Sequence, residues 1–139
     1  MPLVQLSIDR RYDPDTHIAI GRLLAPLRDE GVLIIGSGLT YHNLRDIRGT
    51  AGAEPSRQFD AWLQQTLVQS APEERVRRLE HWEEAPMARA AHPQEDHLIP
   101  LMVALGAAEH EPAATVYHQD DLFGAITASS YRFGAAPAG

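Results

Sequence analysis

Apolar and polar residues alternate from Val4 to Asp9, with Val4, Leu6 and Ile8 set against Gln5, Ser7 and Asp9, and this predicts a strand over residues 3–9. Asp13-Pro14 then supplies an N-cap followed by proline at the first helical position. Ile20, Leu23, Leu24 and Leu27 recur at helical spacing up to Gly31, a residue suited to ending a helix. Residues 32–35, Val-Leu-Ile-Ile, are apolar at every position and read as a strand buried on both faces. Strand, helix and strand predict a right-handed parallel crossover.

Residues 46–55 have no periodicity and contain Gly49 and Gly52, which predicts a loop. Ser56 can cap a helix with Phe59, Trp62, Leu63 and Leu67 on one face, and Pro72-Glu-Glu opens a shorter one carrying Val76, Leu79 and Trp82. Pro93, Glu95 and Asp96 predict the start of a helix running to Leu105-Gly106, kinked near Pro100. Residues 114–118 and 126–133 read as closing strands separated by a turn at Asp120-Asp121, and residues 134–139 as a flexible tail. The expected fold class is α/β, a mixed and largely parallel sheet flanked by helices, in one domain over residues 1–133.

The charge balance narrows the partners. A net charge of −7 with no Lys/Arg-rich face argues against nucleic acid. With no cysteine, thiolate nucleophiles and disulfides are excluded, so any metal is held by His, Asp or Glu. No apolar run reaches the ~20 residues of a membrane span and no secretory pattern opens the chain, so the expectation is a cytoplasmic protein without a membrane partner.

Seven histidines are the richest chemical resource. His81, His110 and His118 sit among polar neighbours and read as solvated, and His17 as a packing residue. His42 follows the 32–35 run across Gly36-Ser-Gly38, at the strand end where α/β sheets bind ligands. It reads equally as a catalyst or as a turn cap. His92 and His97 flank Pro93-Gln-Glu-Asp96 at a spacing that does not place them on one helical face. Both read as a solvated helix start, with His97 the better ligand candidate because an apolar run follows it. Gly36-Ser-Gly38 also carries a weak small-anion-binding reading, since no third glycine follows.

Four ordered blocks go further: Val4-Gln-Leu-Ser-Ile-Asp9, residues 27–38, His42-Asn-Leu-Arg45, and residues 91–101 running into 104–108. Together they resemble the class III extradiol ring-cleaving dioxygenases of the DOPA 4,5-dioxygenase, LigB-like type, over the carboxyl-terminal half of that family's usual subunit. The resemblance implies extradiol cleavage of a catechol-type substrate by dioxygen at a mononuclear non-haem Fe(II) site, zinc sometimes standing in for iron in isolated protein. It places the catalytic acid/base on His42 and a metal ligand on His97. Ser37, Gly38, Asn43 and His92 become candidates for contact with substrate or for support of the site.

Two further metal-ligating histidines of the family, one in a His-Gly-Ser-Pro motif, have no counterpart in this sequence. The resemblance therefore implies a missing amino-terminal half, or a partner chain, that supplies them, and a chain inactive alone. The competing expectations are a non-catalytic remnant or assembly half of such an enzyme, and a small-anion-binding α/β domain.

Overall fold

A computed structural model describes residues 1–135 of the chain. Asp13 caps helix α1 (Pro14–Leu24) as its residue type dictates, its carboxylate accepting the Thr16 amide at 2.9 Å. A 3₁₀ turn (Ala25–Glu30) follows and ends on Gly31 in the left-handed region, φ 81°. After an irregular stretch come α2 (Ala53–Gln64), α3 (Pro72–Glu80), the short α4 (Ala88–Ala91) and α5 (Ile99–Gly106). Strands β1 (Ala113–Leu122) and β2 (Ile126–Phe133) close the chain as an antiparallel hairpin. The core lies between α2, α3, α5 and β2, where Phe59, Leu63, Leu79, Met102, Leu105 and Ile126 are all buried.

The architecture is mixed α/β, helices against a small sheet, but it departs from expectation at several points. Neither residues 3–9 nor residues 32–35 form a strand, and the only ladder among the described residues is antiparallel, β1 with β2. A strand requires a neighbour about 4.8 Å away in register, and no described segment provides one to either stretch. Residues 32–35 are mostly exposed rather than buried on both faces.

Helix α1 buries His17, Ile18 and Gly21, leaving Leu23 80% exposed on the face predicted to be internal. The cause is a close crossing with α5, where a Cβ on Gly21 or Gly106 would collide with the other helix's backbone. Helix α2 begins at Ala53, ahead of Ser56. The Ser56 hydroxyl is buried, donating to the Ala53 carbonyl at 2.9 Å and accepting the Thr127 amide at 2.9 Å.

Helix α5 starts at Ile99, not near Asp96. Pro100 therefore sits in its first turn, where the missing N–H costs no intrahelical bond and no kink arises. Strand β1 runs through Asp120-Asp121, and the turn lies at Phe123-Gly124, both with positive φ. Gly134 is buried, its amide bonded to the Pro112 carbonyl, so it belongs to the folded part; residues 136–139 of the expected tail lie outside the described residues. No helix among the described residues is long and apolar enough to cross a membrane.

Candidate active site

The two histidines singled out by sequence meet in one place. The His42 and His97 rings stack with centroids 3.5 Å apart and an interplanar angle of 16°. Backbone bonds between the loops that carry them enforce this. The Leu39 amide donates to the His97 carbonyl at 3.1 Å, and the His42 amide to the Ala91 carbonyl at 2.9 Å.

Gly36 and Gly38 allow the approach. A Cβ at Gly38 would collide with the His97 carbonyl oxygen, and one at Gly36 with that of Pro100. The Gly-Ser-Gly turn is thus explained by packing on the start of α5, which removes the sequence ground for an anion cradle. Ser37 and Gly38 are exposed beside this junction.

Asn43 is buried and acts as a clasp: its Nδ2 donates to Asp46 and to the Ala90 carbonyl, and its Oδ1 accepts the Arg45 amide. His92 is fully buried, its ring edge-on to Phe59 and Trp82, and Nε2 donates to the Thr40 carbonyl at 3.0 Å. Its ring is closed off from any substrate, so its place is behind the cleft. Sequence reasoning missed Thr40, whose carbonyl anchors His92 and whose hydroxyl accepts the Ser129 amide at 3.2 Å.

Electrostatics separates the imidazoles. Burial, and then the neighbouring His97 ring, hold His42 below the usual histidine value, against an opposing pull from Asp96. Burial pushes His92 down to about 4. Both rings are neutral near pH ~7.

Asp96, which its sequence position suggests only as a helix opener, adds a carboxylate. Its Oδ2 lies 3.0 Å from His97 Nδ1, without the alignment of a hydrogen bond, and that nitrogen is buried with no partner. His42, Asp96 and His97 each offer one ligand atom, all within 4.8 Å of one another. Two imidazoles and a carboxylate suit a divalent transition metal, so the residues present fit such an ion.

A second polar cluster escaped the sequence reading. His118 Nδ1 lies 2.9 Å from Ser129 Oγ and 3.4 Å from Asp60 Oδ2, while Nε2 lies 3.1 Å from Asp120 Oδ1. His118 is thus tied to neighbours as well as partly solvated, and it fastens the β-hairpin to α2. The signal was available in Asp60, an acid on the apolar face of Phe59-Asp-Ala-Trp-Leu63.

The chain belongs to the family of the catalytic LigB subunit of aromatic ring-opening dioxygenases, which it matches over residues 2–134. It is 38% identical over 135 residues to the 4,5-DOPA dioxygenase extradiol of Beta vulgaris, covering 96% of this chain and 49% of that protein. It is 30% identical over 140 residues to the Escherichia coli K12 protein of the same name, covering 96% and 50%. Among solved structures, an uncharacterized Escherichia coli K12 protein superposes with a TM-score of 0.80 at 28% identity, covering 96% of this chain and 56% of that one. The chain thus spans about half the length of the relatives it matches.

Proposed function

We propose that this chain carries the acid/base side of an extradiol ring-cleavage centre and is catalytically incomplete alone. The 3.5 Å stacking of His42 on His97 is the observation that carries this reading. His97 would hold the metal, with Asp96 beside it, and the two remaining histidine ligands would come from the half of the protein that this chain does not cover. When bound, Fe(II) supplies Lewis acidity toward a catechol and a site for dioxygen chemistry.

The chain's own residues handle the proton. A neutral His42 ring nitrogen takes a proton from a catechol hydroxyl and returns one as the ring opens, and its lowered proton affinity keeps the base form populated near neutrality. Asn43 and the Ala91 carbonyl fix the backbone on either side of that ring. His92, behind the cleft, holds Thr40 and hence the approach to His42.

The test uses this chain joined to the amino-terminal half of a relative, with bound iron and the yellow semialdehyde product followed together. His97→Ala is expected to lose iron and activity in parallel. His42→Ala is expected to keep iron and lose about 10²–10⁴ in rate. The reverse pattern would exchange the two roles, and unchanged turnover in both variants would refute the reading.

A further inference from the structure

A large feature left unexplained is an apolar seam that runs up to His97. Leu3, Val4 and Leu6 in a first segment without regular structure, residues 3–9, and Leu33 and Ile35 in a second, residues 33–38, are between 62% and 89% exposed. Their backbone is open too: among the described residues, no amide from 3 to 8 or from 33 to 38 donates a hydrogen bond. A groove of about 410 Å³ separates the second segment from β2. It is lined by Leu33, Ile35, Leu101, Tyr131 and Phe133, and it reaches His97.

Strand β2 presents a free edge to this groove. Its Thr127 and Ser129 amides point away from β1, to Ser56 Oγ and Thr40 Oγ1, and two-residue alternation turns the backbone of Tyr131 and Phe133 to the same side. The outer edge of β1 is built differently. Two register breaks in its pairing with β2 bend the strand, and it carries Asp120 and Asp121, which are devices that discourage strand addition.

We propose that this seam is a strand-pairing surface for the polypeptide corresponding to the half of the relatives that this chain does not cover. An extended, largely apolar segment of that polypeptide enters the groove, bonds to the backbone of residues 33–38, and is led to His97. The choice of occupant rests on the dioxygenase reading above. A second copy of this chain fits less well, because each carries a net charge of −7 and like charges repel.

Amide hydrogen exchange on two proteins tests the proposal: this chain alone, and a fusion in which the amino-terminal half of the Beta vulgaris relative precedes Met1. In the fusion, the amides of residues 33–38 should exchange at least about a hundredfold more slowly than in the chain alone, while the outer edge of β1 stays unchanged. Leu33→Lys combined with Ile35→Lys should erase that protection and leave the core amides of Phe59 and Leu79 protected. Unprotected 33–38 amides in the fusion, or undiminished protection in the lysine variant, would overturn the proposal. So would a stable dimer of the chain alone, by light scattering, with the same amides protected. Iron content and ring cleavage measured on the fusion keep the two readings apart: protected amides without either would refute the dioxygenase reading alone, and ring cleavage with unprotected amides would refute the docking alone.

Discussion

Acidification should destabilise this protein through one buried imidazole. His92 is fully buried between Phe59 and Trp82, and burial holds it at about 4, against 6.5 for the exposed side chain. The unfolded chain therefore takes up a proton on His92 at a pH where the folded chain does not. Its contribution to stability is fully present above the unfolded value and is lost as pH falls from there toward the folded value. Linkage at these two values gives a loss of about 2 kcal/mol between about pH 7 and about pH 5, rising to about 3 kcal/mol below about pH 4.

Urea unfolding followed by tryptophan fluorescence measures this directly, since Trp82 packs on the same ring. His92→Gln is the control, because its amide nitrogen can stand near the place of the ring Nε2 at the Thr40 carbonyl and cannot ionise. The variant loses stability at neutral pH but should show a curve flatter by about 2 kcal/mol over the same interval. His42, also pushed down by burial, adds a slope of the same sign that the variant retains, so only the difference between the proteins is diagnostic. Equal slopes in the two proteins would refute the assignment of the acid transition to His92.

Other perturbations have equally definite outcomes. Gly38→Ala forces a Cβ into the His97 carbonyl, and overpacking of this kind should cost about 1–3 kcal/mol in chemical denaturation while separating the stacked rings. Asp13→Ala removes the N-cap of α1 and should cost about 1 kcal/mol in the same assay. In calorimetric titration, zinc should bind the isolated chain weakly and through His97, so that His97→Ala abolishes the heat; tight stoichiometric binding would show that His42 and Asp96 complete a site without further ligands.

Local chemistry was readable where one residue decides one outcome. Asp13 before Pro14 places the start of α1, and Gly31 the end of the turn beyond it, because each supplies a group or a backbone angle that few residues supply. The position of His42 after a Gly-Ser-Gly turn pointed to the cleft, although its approach to His97 depends on Gly38, whose purpose shows only once α5 lies against it. Where two signals compete, the chain alone does not arbitrate. Pro93 and Pro100 are equally good openings for α5, and Asp120-Asp121 competes with Phe123-Gly124 for the hairpin turn. Helix α1 has two apolar faces, and packing selects the one where Gly21 meets Gly106. Residues 32–35 show the deepest gap, since an apolar run states that it prefers burial and says nothing of what does the burying.

The open seam has a colloidal consequence. Exposed apolar edges are templates for aggregation, and in the free chain the opposing influence is its charge of −7, which keeps neighbouring molecules apart. That repulsion reaches far in dilute buffer and is cut to a range of about 8 Å at ~0.15 M salt. The isolated chain should therefore stay dispersed at low ionic strength and cloud as salt is added, at a rate that climbs with protein concentration. A cell making it apart from whatever covers the seam would have to supply that cover in excess, since its ionic strength offers the bare edges little electrostatic protection.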